Sequence, residues 1–152
     1  VAHALVAARE DVDRALLGMA PDEVWARPAG VASVGFHVAH LSGATDRLLT
    51  YARGEALSES QRADLTRERA LPEAAPGADA LLRALHQTIE RGLQQLAATD
   101  VSTLAQPRAV GRTQAASTVI GLLFHAADHA ARHAGQIVTT ARIVRQTARP
   151  GA

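Results

Sequence analysis

Cysteine, lysine and asparagine are missing altogether from the 152-residue chain. Without cysteine there is no disulfide framework, no thiol nucleophile and no zinc-thiolate site, so any sulfur chemistry must use a thiol brought from outside. The absence of lysine and asparagine reads as the codon bias of a GC-rich bacterial genome and carries no mechanism. Net charge is nearly lacking too: 16 basic residues against 15 acidic ones give +1. No basic cluster is dense enough to neutralise a phosphate backbone, which argues against a nucleic-acid partner. No apolar run approaches the length of a bilayer crossing, and no basic, apolar, cleavable leader follows Val1. The expectation is a cytoplasmic protein with no membrane partner.

What the chain does have is helical periodicity. Hydrophobic residues make up 47% of it, enough at this length for one domain to bury a real core without disulfides. Leu5, Val6, Val12, Leu16 and Leu17 predict a first amphipathic helix over 2–19, with Arg9, Glu10, Asp13 and Arg14 opposite. Residues 20–30 read as a structured turn around Trp25, a core candidate, because Pro28 and Gly30 punctuate it. Ser33 is placed to cap a second helix that stops near Gly54. Ser58 with Gln61 three residues on has the spacing of a capping box and predicts a short helix to about Leu65. An acidic, proline-containing connection, "ALPEAAPGADA" at 70–80, follows it. Leu81, Leu82, Leu85, Ile89, Leu93 and Leu96 define a third major helix over 78–98. Residues 99–114 read as irregular, and one long helix over 116–147 closes the chain. No strand-like alternation persists, and four major helices joined by long connections predict an all-α four-helix bundle with functional side chains projecting into its core.

Five of the seven histidines fall into two clusters. His37 and His40 lie on the second major helix; His125, His129 and His133 lie on the last, in "HAADHAARHAGQ" at 125–136. Residues four apart on a helix sit about 40° apart around the axis, so His129 and His133 can aim at one point. His40, from the neighbouring helix, is the candidate third ligand. Zinc, nickel, iron and copper accept neutral imidazole, and three protein ligands leave room for water or substrate. Histidine pairs at this spacing also occur on helix surfaces and in polar cores without metal; the second cluster tips the balance toward metal. His37 and His125 are expected to line the pocket or hold hydrogen bonds rather than ligate, and His3 and His86 to lie on the surface. Gly135 costs a helix about 1 kcal/mol relative to alanine, which close helix packing there, or an approach of backbone or Gln136 to the site, would offset. Asp46, Arg47, Asp128 and Arg132 are further polar candidates, with Asp128 offset by about 100° from His129 and so expected to be a surface charge.

Two segments, "SVGFHVAHLSGATDRLLTYARGEALS" (33–58) and "LLFHAADHAARHAGQIVTTARIVRQ" (122–146), resemble the DinB superfamily. In that family a histidine on the second helix and an H-x-x-x-H-x-G-Q pattern on the last bind a divalent metal. Here His40 takes the first position, and His129, His133, Gly135 and Gln136 take the pattern. The resemblance implies a single DinB-like metal-binding helical domain over 1–152, a four-helix bundle with long connections, nickel or zinc at His40, His129 and His133, and a homodimer through exposed helix faces.

Members of the family that the chain resembles include S-transferases using low-molecular-weight thiols and metal-dependent hydrolases, and with a non-catalytic reading this makes three expected functions. In the first, the protein is a thiol S-transferase in which the metal lowers the pKa of a low-molecular-weight thiol and a small-molecule electrophile takes the sulfur; Arg47 or Arg132 would then contact an acidic group of the thiol. In the second it is a metal-dependent hydrolase. No H-E-x-x-H pattern is present, so its general base would have to be His37, His125 or a carboxylate folded in from elsewhere. In the third the bundle binds metal or ligand, or dimerises, without catalysis, and the alanines of the last helix suit such an interface.

Overall fold

Capping residues start two of the helices where the sequence places them. A computed structural model describes residues 1–70 and 75–147. Ser33 Oγ accepts a hydrogen bond from the Phe36 amide at 3.2 Å, which opens α3 (Val34–Ala52). Ser58 and Gln61 form the reciprocal pair of a capping box: the Gln61 amide donates to Ser58 Oγ at 3.1 Å and the Ser58 amide to Gln61 Oε1 at 2.9 Å. That box opens α4 (Glu59–Ala70), which runs a full turn beyond the expected end at Leu65. The first helix, α1 (Ala2–Leu16), is shorter than expected, because the backbone leaves helical geometry at Leu17. The turn around Trp25 contains a short helix, α2 (Pro21–Trp25), started by its proline. Residues 71–74 of the expected connection lie outside the described residues.

The other long helices are α5 (Ala78–Ala98) and α6 (Val119–Thr147). Between them the expectation of irregular chain is corrected. Strands β1 (Pro107–Val110) and β2 (Ala115–Thr118) pair antiparallel, with Pro107 opposite Thr118 and Val110 opposite Ala115. Four residues per strand give too little alternation to register as a strand in sequence. The hairpin is tied to the bundle by Arg108, whose Nε donates to the Ala52 carbonyl at 2.9 Å.

The four long helices pack in a ring, α1 against α6, α6 against α3, α3 against α5 and α5 against α1. Chain order therefore puts α1 and α3 on one diagonal and α5 and α6 on the other. A diagonal step must cross the end of the bundle, which is why 17–33 and 99–118 are long and carry α2 and the hairpin. The ring encloses Leu5, Val12 and Leu16 of α1, Val38 and Leu41 of α3, Leu81, Leu85 and Ile89 of α5, and Ala134 and Ile137 of α6. Burying each leucine or isoleucine is worth about 1.5–3 kcal/mol. A second cluster, Leu48, Leu49, Ala52, Val119, Leu122, Leu123 and Ala126, fills the α3–α6 seam toward the hairpin. Trp25 packs half-buried against the main core, and its Nε1 donates to the Pro76 carbonyl at 3.0 Å. Gly35 makes room for it: a Cβ there would lie 2.8 Å from the indole ring.

Candidate metal centre

Alanine along one face of α6 (Ala126, Ala130, Ala134) lets it approach α3 closely. That approach carries His129 and His133 to His40. The ring centroids are 5.0 Å apart for His40 and His129, 4.7 Å for His40 and His133, and 4.4 Å for His129 and His133. One ring nitrogen from each of the three lies within 4.8 Å of the others. The three residues expected from sequence to act together are thus brought together, each half-buried.

The donor set suits a divalent cation. Burial first, and then the charge of His40, His125, Arg132 and Arg47, pushes His129 down to about 4. Burial, the other three imidazoles of the cluster and Arg132 push His133 down to about 4 as well. Both rings are therefore neutral at pH 7, the form that donates a lone pair. His129 Nδ1 is buried and has no hydrogen-bond partner among the described residues. A bound cation can draw an imidazole into coordination at no proton cost when it is already neutral, and an unpartnered buried nitrogen is the kind of atom such a ligand set leaves. Three imidazoles leave at least one coordination position for substrate or water.

The surrounding side chains divide clearly. His37 is buried, and its Nδ1 lies 3.1 Å from Nδ1 of His133, so one ring holds the other's orientation. Burial and then the charge of His40 lower the pKa of His37, so it too is neutral near pH 7. Phe36 stacks on His40 with ring centroids 5.7 Å apart and planes 3° from parallel. His125 is exposed, its ring 6.0 Å from that of His129. Asp128 pairs with Arg132 at 2.6 Å on the exposed face of α6, as its helical offset predicts. His3 is exposed, and His86 lies on the surface against Asp13 at 2.6 Å.

Two expectations need correction. A Cβ built on Gly135 meets nothing within 4 Å, so close packing does not explain that glycine, and Gln136 beside it is exposed. Arg47 is buried and turned to a protein carboxylate, with its Nη1 donating to Glu68 Oε2 at 3.1 Å. It is not free to greet an acidic ligand.

Glu68 is the residue that sequence reasoning missed. It sits near the end of α4 at 8% exposure, and its Oε1 bonds His40 Nδ1. Burial alone would raise its pKa, but the hydrogen bond from His40 and the charge of Arg47 outweigh that and hold the carboxyl below its ordinary range. A signal was present in the spacing. Gln61 and Glu68 are seven residues apart and so share a face of α4, while His40, Gly43 and Arg47 form one stripe along α3.

The family model of the DinB superfamily matches residues 4–137. A solved structure, the conserved protein of locus from Enterococcus faecalis, superposes with a TM-score of 0.75 at 22% identity, covering 95% of each chain. At that identity it shows the fold. None of the curated proteins compared with the chain matches it. Among the described residues, no helix is long and apolar enough to cross a membrane.

Proposed function

This chain belongs to the DinB superfamily, and from that premise we propose that His40, His129 and His133 hold a nickel or zinc ion and that the protein transfers a low-molecular-weight thiol to a small electrophile. The observation that carries this reading is the close approach of three imidazole nitrogens, within 4.8 Å of one another, two of them on rings held neutral by burial. When bound, the metal lowers the pKa of a thiol so that the sulfur is nucleophilic near neutral pH. The S–H bond breaks, a bond forms from sulfur to the electrophilic carbon, and the proton leaves with the displaced anion. The chain supplies no thiol itself, since it has no cysteine. The co-substrate must be a free thiol, which stays reduced in the cytoplasm.

The protein's own groups set the stage for that transfer. His37 and Glu68 fix two of the rings from behind. Phe36 forms an apolar wall beside His40. Arg132, exposed on the same helix as His129 and His133, is paired with Asp128 at 2.6 Å and would exchange that carboxylate for an acidic group on the thiol. Hydrolysis fits less well, because it needs a base at the water. Glu68, the carboxylate that the fold brings to the histidines, has its oxygens engaged by His40 and Arg47. A homodimer remains part of the proposal, supported by Ile120 at 45% and Phe124 at 66% exposure one turn apart on α6.

The test is conjugation of several electrophiles with a panel of low-molecular-weight thiols by nickel- or zinc-loaded protein. The expected result is a metal-dependent rate above background that is lost in His129→Ala. Ester or amide turnover by the loaded protein, lost in the same variant and with no conjugation, would replace transfer by hydrolysis.

A further inference from the structure

Helix α4 is an odd place to find a buried carboxylate. Of its described side chains, Glu68 is the one that is buried, so no described apolar side chain of α4 is buried in the core. It packs on α3, and polar contacts hold it there. At its start Gln61 Nε2 donates to Asp46 Oδ2 at 2.6 Å and Thr50 Oγ1 at 2.7 Å. At its end Glu68 takes His40 and Arg47. Removing a carboxylate from water is costly unless its oxygens are satisfied. Here one oxygen is given to the imidazole and the other to the guanidinium.

The room for this pair comes from Gly43. A Cβ on Gly43 would lie 2.7 Å from Arg47 Nη1 and 2.9 Å from Glu68 Oε2. Glycine inside a helix costs about 1 kcal/mol relative to alanine, and at this position the close approach of the two side chains explains it. His40, Gly43 and Arg47 follow one another along a single stripe of α3, so the ring, the gap and the cation are presented together to α4.

We propose that Glu68, held by Arg47 in the gap over Gly43, is a positioning residue for His40: it keeps the imidazole proton on Nδ1, leaves Nε2 as the lone-pair nitrogen for metal, and so sets the affinity of the three-histidine centre. This rests on the metal reading above. His133 is arranged in parallel, since its Nδ1 is already turned to His37. A ring whose proton is fixed by a carboxylate is oriented before the cation arrives and is a stronger donor, and loss of such a partner typically costs 10–100-fold in affinity. The arrangement also makes α4, a helix docked by polar contacts, part of the centre.

The experiment has two readouts on the full chain. Zinc affinity is measured by competition with a chromogenic chelator for the native protein, Glu68→Gln, Glu68→Ala and Gly43→Ala. The ring-nitrogen tautomer of His40 is measured by 15N-edited NMR of metal-free protein. Native protein should show His40 with its proton on Nδ1, and Glu68→Ala should bind zinc about 10–100-fold more weakly with that proton redistributed between the nitrogens. Glu68→Gln and Gly43→Ala should lie between native and Glu68→Ala. If Glu68→Ala does not fold because Arg47 is left without its anion, Arg47→Met/Glu68→Leu removes both charges and should show the same loss. Affinities within twofold of native in the folded variants, or a native His40 protonated on Nε2, would overturn the proposal while leaving the metal reading intact. A native protein that binds no zinc would instead bring down that reading, and this proposal with it.

Discussion

Helix α6 and helix α4 both reach His40, but they are held in place by opposite means. The inner face of α6 is an apolar stripe that runs from Val119 through Ala126, Ala130 and Ile137 to Val144. Of its described side chains, helix α4 buries Glu68 and otherwise presents exposed or half-exposed residues. The hydrophobic effect fixes α6 without regard to what the histidines do, and it delivers His129 and His133 as a rigid pair. The docking of α4 depends on a short set of hydrogen bonds, two of which end on the candidate centre or its arginine. The donor atoms belong to the stiff part of the molecule, and the group that tunes one of them belongs to the part most easily moved.

The largest effect should come from the stiff side. His129→Ala is expected to abolish stoichiometric zinc or nickel binding, read by metal analysis after dialysis, while the fold persists because the ring is only half-buried. Unchanged metal content would mean that the seam does not supply the ligands. Next, Ile137→Ala should cost about 2–5 kcal/mol in denaturant unfolding of the metal-free protein, since Ile137 is fully buried in the main core. A loss below about 1 kcal/mol would show that α6 is not anchored by its apolar stripe.

Acidification should expose the cost of the buried rings. His129 and His133 are pushed from an ordinary 6.5 down to about 4 in the folded protein. Between those values the unfolded chain binds more protons than the folded one, so stability rises with pH across the window and is lost as pH falls from about 6.5 to about 4. Glu68, held below its usual range, adds a further loss in the same direction at lower pH. A double variant, His129→Gln/His133→Gln, should flatten the upper part of this dependence in metal-free thermal melts. An unaltered slope would place the titrating groups elsewhere. The smallest effect belongs to the exposed flank of α4: Arg67→Ala breaks a solvent-exposed pair with Asp64 at 2.6 Å and should change stability by no more than about 0.5 kcal/mol.

Much of this comparison was legible in the sequence on one side only. The four long helices, the Ser33 cap, the Ser58–Gln61 box and the pairing of His129 with His133 follow from periodicity and spacing, because each depends on residues a few turns apart; His40 joins them as a partner through the second histidine cluster and the family resemblance. Glu68 did not stand out. Its role depends on α4 running past Leu65 and on a contact with a residue 28 positions away, made by a helix whose pattern contains no apolar stripe. The hairpin was hidden for a related reason: strands of four residues carry almost no periodic signal. Gly135 drew attention because it follows the histidines, yet open space surrounds it. Gly43 sits where a side chain would strike Arg47 and Glu68.

The central claim is that three imidazoles on α3 and α6 form a metal centre, and the most direct measurement is calorimetric titration of untagged, metal-stripped protein with zinc and with nickel, paired with thermal melts. One ion bound per chain and a rise in Tm that grows with free metal concentration is the predicted result, as expected for a ligand that binds only the folded state. Absence of saturable binding, with a Tm indifferent to either metal, would contradict it.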